Sequence, residues 1–210
     1  MSDIKAILLD IEGTTSSIAF VTQTLFPYAR ERIPVWVPMH REELASLLGA
    51  MPPGDPVQTL LDWMEVDAKE TTLKEIQGRI WREGYAAGDL HGHVYPDTPD
   101  ALKRWTDAGL KVFIYSSGSI EAQKLIFGHS VAGDLTPNLS GYFDTTTGPK
   151  RETDSYHKIA EAIDLPPGSI LFVSDIKAET DAAKAAGLQT RLIDRDTGKG
   201  EVASLAEVLP

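Results

Sequence analysis

The sequence has no cysteine among its 210 residues, which excludes disulfides, thiol nucleophiles and cysteine-ligated metal sites. It also lacks an apolar run long enough to cross a membrane. The first residues, Met-Ser-Asp-Ile-Lys-Ala, carry an acid where a secretion signal has a basic region. We therefore expect a cytoplasmic protein that has no membrane partner.

Basic residues are scarce: 20 Lys and Arg stand against 31 Asp and Glu, for a formal net charge of −11. Nucleic acids and anionic membranes are bound mainly through clusters of Lys and Arg, so this charge argues against both as partners. A small anionic substrate would meet the same repulsion. Its site must supply a local cation, which can be a metal ion, a lysine or a helix N-terminus. We expect a monomer that acts on a small molecule.

Four short apolar runs each end in a small polar or acidic residue, at 6–10, 112–116, 170–175 and 190–194. Such runs predict buried parallel strands. Helical spacing fills the intervals between them, for example around Trp105 before the glycine at Gly109. Alternating strands and helices predict a layered α/β fold.

Residues 19–91 break this alternation, because helical periods such as Leu73, Ile76 and Ile80 follow one another without a strand pattern. The turn-rich segment that begins at Gly88 is expected to be the exit of this module. We expect residues 1–18 and 92–210 to form the α/β core, and residues 19–91 to form an inserted helical domain.

Functional residue types follow three of the predicted strands, at Asp10, Ser116 and Asp175. In open α/β sheets, ligands bind outside the carboxyl ends of the strands, so these remote residues are expected to converge. Asp10, Glu12 and Asp175 would then form an acidic group that a divalent cation stabilises, and magnesium suits oxygen ligands. Glu179, one helical turn later, is a candidate outer ligand. Any one of these acids could instead be a helix cap or a solvated loop residue.

Two further features fit a phosphate site. Ser116 and Ser117 precede a helical pattern, where hydroxyls and backbone amides can cradle a phosphate, although a serine at such a place is often only an N-cap. Lys150 lies in a loop and could neutralise a phosphate oxygen, although most loop lysines are simply solvated.

In order and in strand placement, Asp10-Ile-Glu12-Gly-Thr, Ser116, Lys150 and Asp175 resemble the four motifs of the haloacid dehalogenase superfamily. Most phosphatases of that superfamily carry Asp where this chain has Glu12. The variant, with Leu25-Phe-Pro-Tyr-Ala-Arg, Tyr95-Pro-Asp and Tyr115-Ser-Ser-Gly-Ser, resembles the enolase-phosphatase family of methionine salvage, also called acireductone synthases.

The resemblance implies a three-layer, Rossmann-like parallel sheet with an inserted helical cap after the first motif. It also implies conversion of 2,3-diketo-5-methylthiopentyl 1-phosphate to the acireductone 1,2-dihydroxy-5-methylthiopent-1-en-3-one and phosphate. Asp10 would be the nucleophile and Glu12 the acid and base. Ser116, Ser117 and Lys150 would bind the substrate phosphate. Mg²⁺ would be held by Asp10, Glu12 and Asp175.

Two other functions remain open at this point. One is a single-step magnesium-dependent phosphatase of another small phosphomonoester, which would use the same motifs without enolisation. The other is a phosphoacceptor domain whose acidic pocket binds magnesium without turnover.

Overall fold

The computed structural model describes residues 4–209. They form two compact units. One contains the chain up to Ile18 together with the chain from Gly92 onward, and the other contains Ala19–His91.

The first unit is built on a five-stranded parallel sheet with the order β3-β2-β1-β4-β5. The strands are β1 (Ala6–Leu9), β2 (Lys111–Tyr115), β3 (Gly141–Phe143), β4 (Ile170–Ser174) and β5 (Gln189–Leu192). The predicted α/β class and its four strands are confirmed. β3 was not predicted, because it has three half-buried residues and no extended apolar run.

Helices account for most of the remaining ordered chain. Within residues 4–209 the α-helices are α1 (Ile18–Phe20), α2 (Phe26–Met39), α3 (Ala45–Gly49), α4 (Pro56–Glu65), α5 (Thr71–Ala87), α6 (Thr98–Asp107), α7 (Ile120–Gly128), α8 (Thr153–Ile163) and α9 (Lys177–Ala185). A π-helical turn, Val21–Leu25, joins α1 to α2. In this part of the chain no helix combines the length and the apolar character needed to span a bilayer.

The sheet of the first unit is covered on both faces, which gives the three-layer arrangement. Successive residues of a strand point to opposite faces. Ile7 and Leu9 of β1 therefore pack with Trp105 of α6, whereas Leu8 packs with Tyr156 of α8. Because both faces are buried, the central strands β1 and β4 are buried along their whole length and have nearly continuous hydrophobic sequences.

The second unit is helical and has its own core. Trp81 of α5 stacks on Phe26 of α2 at a centroid distance of 6.3 Å, and its indole N–H donates to the carbonyl of Leu25 at 2.8 Å. α4 begins at an N-cap, Asp55, whose side chain accepts from the backbone N–H of Val57. These contacts explain why a segment with only helical periodicity folds as a compact body.

β1 is the central strand of the first unit, and the chain runs to β2 on one side and to β4 on the other. Sheets of this order bind ligands at the carboxyl ends of the strands, near the point where the strand order reverses. The residues that follow β1, β2 and β4 are therefore the place to look for a site.

Candidate active site

Asp10, Ser116 and Asp175 follow β1, β2 and β4, as the sequence predicted. Leu9 pairs with Val173 in parallel register, and the amide of Asp10 donates to the carbonyl of Val173 at 3.0 Å. The ends of β1 and β4 are therefore adjacent. Asp10 and Ser116 are each only 4% exposed, so the structure buries both groups at this edge of the sheet.

A lysine ammonium group is buried between two carboxylates. Nζ of Lys150 lies 2.6 Å from Oδ1 of Asp10 and 2.6 Å from Oε2 of Glu179. Burial alone lowers the pKa of Lys150, but the charges of Asp10 and Glu179 outweigh it, so the pKa is raised. Lys150 is therefore a permanent cation in contact with Asp10, and not a solvated surface lysine.

Three hydroxyl groups hold the loop that carries Lys150. Those of Tyr115, Ser155 and Tyr156 donate to the three consecutive carbonyls of residues 148–150, at 2.8, 2.8 and 2.6 Å. Gly148 has φ +152°, and a Cβ there would lie 2.2 Å from the hydroxyl oxygen of Ser155. The loop is thus fixed by the sheet and by α8, and it delivers the lysine in a defined position.

Ser174, a residue that sequence reasoning missed, connects the same two carboxylates. Its hydroxyl oxygen lies 3.1 Å from Oδ2 of Asp10 and 2.9 Å from Oε2 of Glu179, and it accepts from the amide of Ile176 at 3.1 Å. A hydroxyl has a single hydrogen, so it can donate to only one carboxylate at a time. The strand register was the available signal, because it places Asp10 and Ser174 side by side on one face.

The loop after Asp10 folds tightly on itself. The amides of residues 14–16 all donate to the carbonyl of Ile11 at 2.8 to 3.1 Å, and the amide of Ile11 donates to Oδ1 of Asp10 at 2.7 Å. Gly13 has φ +70°, and a Cβ there would lie 2.2 Å from Oδ2 of Asp175. The absence of a side chain at Gly13 therefore allows Asp175 to lie against this loop.

The negative charge of the Asp175 carboxylate is poorly compensated in the structure. Its Oδ1 atom is buried and has no hydrogen-bond partner. Burial, and then the nearby charge of Asp10, raise the pKa of Asp175 to about 6. A carboxylate with an unsatisfied buried oxygen next to a second carboxylate fits a divalent cation, because the cation would supply the missing positive charge.

Glu12 lies within the loop, half-buried, and its backbone bridges to Ser16. Within residues 4–209, no three Asp, Glu or His side chains gather as a group that could hold a metal ion. The structure thus brings Asp10 and Asp175 to one loop but does not gather the carboxylate of Glu12 with them as a third ligand. Two carboxylates fit magnesium, which usually keeps several waters and takes up substrate phosphate oxygens.

The serines after β2 have different roles. Ser119 caps α7 by accepting from the amide of Ala122 at 3.2 Å. The buried Ser116 accepts from the amide of Gly118 at 3.2 Å, and Ser117 is exposed. Because Ser119 is the cap, the capping interpretation does not account for Ser116 or Ser117.

Two buried side chains missed by sequence reasoning hold this serine loop. The side-chain nitrogen Nε2 of Gln123 donates to the backbone carbonyls of Gly118 and Phe143, at 2.8 and 2.9 Å. Oδ2 of Asp144 accepts from the amide of Ile120 at 3.3 Å. Both residues tie the loop after β2 to the end of β3.

Comparison with known proteins agrees with this geometry. Residues 4–187 match the family model described as haloacid dehalogenase-like hydrolase. Two similar proteins, both called Enolase-phosphatase E1, come from Pseudomonas syringae pv. syringae and Pseudomonas fluorescens. The first is 53% identical over 93% of this chain and 91% of its own length, and the second is 54% identical over 94% and 92%. Among solved structures, the UTR4 protein of Saccharomyces cerevisiae is 37% identical, with a TM-score of 0.82 over 91% of this chain and 90% of that one.

The fold, the paired carboxylates at the strand ends and the family match define the class: this chain belongs to the haloacid dehalogenase-like hydrolases. Within that class, identities of 53% and 54% over nearly the full length of the chain place it in the enolase-phosphatase E1 family. The family resemblance inferred from the ordered motifs is therefore confirmed.

Gly13→Ala tests whether the loop must leave room for Asp175. The new Cβ would displace Asp175, and we expect phosphatase activity to fall at least about 10-fold, since small misplacements in a site are costly. Gly109→Ala is the matched control, because Gly109 also has positive φ, at +82°, but has no atom within 4 Å of the added Cβ. Both variants should lose about 1 to 2 kcal/mol of stability through strain at positive φ, and Gly13→Ala should lose more because of the close contact with Asp175. Equal activity of the two variants would contradict the predicted role of Gly13.

Asp175→Asn tests the electrostatics. A carboxyl with a raised pKa holds its proton more tightly in the folded chain, so its contribution to stability is present below pH 3.8 and lost as the pH rises to about 6. At pH 7 and without metal, the variant should therefore melt above the wild type, by a few degrees.

Added magnesium should raise the melting temperature of the wild type and leave that of Asp175→Asn unchanged. Asp196→Asn, at an exposed loop position, serves as control and should respond to magnesium as the wild type does. An undiminished magnesium response in Asp175→Asn would remove Asp175 from the metal site.

Proposed function

We propose that this protein is a bifunctional enolase-phosphatase of methionine salvage, which converts 2,3-diketo-5-methylthiopentyl 1-phosphate to 1,2-dihydroxy-5-methylthiopent-1-en-3-one and phosphate. The observation that carries the proposal is the buried contact between Asp10 and Lys150 beside Asp175, because it unites a nucleophile, a fixed cation and a second carboxylate. The identity to proteins called Enolase-phosphatase E1 supports the choice of substrate.

The proposed cofactor is Mg²⁺, held by the carboxylates of Asp10 and Asp175. Three buried or half-buried acids, Asp10, Asp175 and Glu179, share one ammonium group, that of Lys150, so the site is short of positive charge before any phosphate arrives. Bound there, a divalent cation would neutralise charge on the transferring phosphoryl group.

In the phosphoryl transfer, a carboxylate oxygen of Asp10 attacks phosphorus while the bond from phosphorus to the substrate oxygen breaks. Lys150 offsets negative charge on the phosphoryl oxygens, and Ser116 and Ser117 hold them together with backbone amides. Glu12 gives a proton to the leaving oxygen. Water then hydrolyses the aspartyl phosphate: one of its protons goes to the enolate oxygen, phosphate is released, and Asp10 and Glu12 are both carboxylates again.

Enolisation comes first and requires a base. Glu12 takes a proton from the carbon that bears the phosphoester, so that the ketone becomes an enolate, and it keeps this proton for the leaving oxygen of the phosphoryl transfer. Its position in the loop that begins one residue after Asp10 supports this role. Asp10 is excluded as this base by its use as the nucleophile, and Lys150 by its raised pKa.

The helical unit Ala19–His91 is proposed to be the family's cap domain. Caps in such enzymes separate the reaction from water. Its independent core supports this proposal, because a cap has to keep its own fold during the catalytic cycle. We also propose that the enzyme is cytoplasmic.

The decisive assay incubates the protein with the diketo phosphate, with and without magnesium, and follows both phosphate and the ultraviolet absorbance of the enediol. Wild-type enzyme with magnesium should release both over many turnovers. Asp10→Asn should release neither while it keeps the wild-type circular dichroism spectrum. Phosphate without enediol absorbance would indicate a single-step phosphatase, and a single turnover would indicate a phosphoacceptor domain.

Glu12→Gln separates the two half-reactions. Loss of an acid–base group typically costs about 100-fold or more, so turnover of the diketo phosphate should fall by that amount. Hydrolysis of p-nitrophenyl phosphate should fall much less, because its leaving group needs neither enolisation nor protonation. Equal losses on the two substrates would show that Glu12 is not the acid–base group.

A further inference from the structure

Arg195, in the loop after β5, is a buried arginine that the proposed mechanism does not use. Its side chain is 9% exposed. Two of its nitrogens, Nε and Nη2, donate to the carbonyl of Thr14, at 3.1 and 2.5 Å. Arg195 therefore holds, through two hydrogen bonds, the loop that follows the proposed nucleophile Asp10.

The charge of Arg195 is neutralised by Asp97. Nη1 lies 2.9 and 2.7 Å from the two carboxylate oxygens of Asp97, and one of these oxygens also accepts from the amide of Leu205 at 2.7 Å. The guanidinium group lies 4.2 Å above the ring centre of Tyr95. A cation that is paired with a carboxylate and covered by an aromatic ring fits a role in positioning the loop better than a role in binding phosphate.

Other residues of the segment 93–98, which contains Asp97, contact the same loop. The amide of Tyr95 and the hydroxyl of Thr98 both donate to the carbonyl of Thr15, at 2.9 and 3.1 Å. The amide of Ser17 donates to Nδ1 of His93 at 3.0 Å. Residues 14, 15 and 17 are thus held from one side by a single short segment and by the arginine that this segment anchors.

The loop held in this way contains residues that the proposed reaction needs. It contains Glu12, and its Gly13 lies against Asp175. Asp10 itself is anchored differently, through the pairing of β1 with β4 and its contact with Lys150. Loosening the carbonyl of Thr14 should therefore move Glu12 more than Asp10.

We propose that Arg195, anchored by Asp97, is a positioning residue that fixes the loop of residues 11–16 and thereby places Glu12 for proton transfer. The inference rests on the proposed enolase-phosphatase function, since it assigns Arg195 to the step that needs Glu12. Lysine cannot replace it fully, because one ammonium group lacks the planar fork that binds a carboxylate and a carbonyl together.

The test compares Arg195→Met and Arg195→Lys with the wild type on two substrates, the diketo phosphate and p-nitrophenyl phosphate. The kcat of Arg195→Met for the diketo phosphate should fall about 10- to 100-fold, as expected for a displaced catalytic group. Its kcat for p-nitrophenyl phosphate should fall less than about 3-fold, because that reaction depends on Asp10, Lys150 and Asp175, which are held by β1, the lysine loop and β4, and not on placement of Glu12. Arg195→Lys, which keeps the charge beside Asp97, should fold normally and show an intermediate selective loss.

Arg104→Met is the matched control. Arg104 donates to the carbonyl of Leu205 at 3.3 Å, the residue whose amide donates to Asp97, but within residues 4–209 its hydrogen bonds do not reach the loop of residues 11–16. It should leave the ratio of the two kcat values unchanged. Equal losses of both activities in Arg195→Met and Arg195→Lys, or no loss in either, would overturn the inference. Failure of the wild type to form the enediol would instead refute the proposed function, and this inference with it.

Discussion

The site depends on one buried ammonium group. Lys150 lies 2.6 Å from both Asp10 and Glu179, and without it two buried carboxylates would face each other with no charge between them. Removing one partner of a buried ion pair typically costs about 3 to 5 kcal/mol, which is a large part of the stability of a domain. The neighbouring elements reflect this constraint, because the sheet and α8 supply the three hydroxyls that fix the lysine loop.

The contacts of Lys150 with Asp10 and Glu179 neutralise only part of the negative charge at the site. Asp175 stays underneutralised, with its pKa raised to about 6 and one buried oxygen without a partner. The same shortage of positive charge fits the proposed binding of a divalent cation, which would also offset the negative charge of a phosphate ester. On this account the chain, whose net charge is −11, attracts an anionic substrate through a local arrangement and not through its overall field.

The sequence predicted the strands and the site residues that depend only on a local pattern or on a position at the end of a strand. Buried runs predicted β1, β2, β4 and β5, and the rule that ligands bind at strand ends selected Asp10, Ser116 and Asp175. It was uninformative where function depends on long-range packing. Nothing local distinguishes Lys150 from a solvated lysine until Asp10, 140 positions away, is placed beside it. Ser174 follows from strand register, and Arg195 from a contact across 181 positions, so neither could be found by scanning motifs.

The central claim is that the carboxylate of Asp10, held by Lys150, forms a covalent bond to phosphorus. The most direct measurement quenches the enzyme during turnover with the diketo phosphate, reduces it with borohydride, which converts an aspartyl phosphate to homoserine, and maps the product by mass spectrometry. The account predicts homoserine at position 10, dependent on substrate and magnesium. Efficient turnover without modification at position 10, or with modification at another carboxylate, would contradict it.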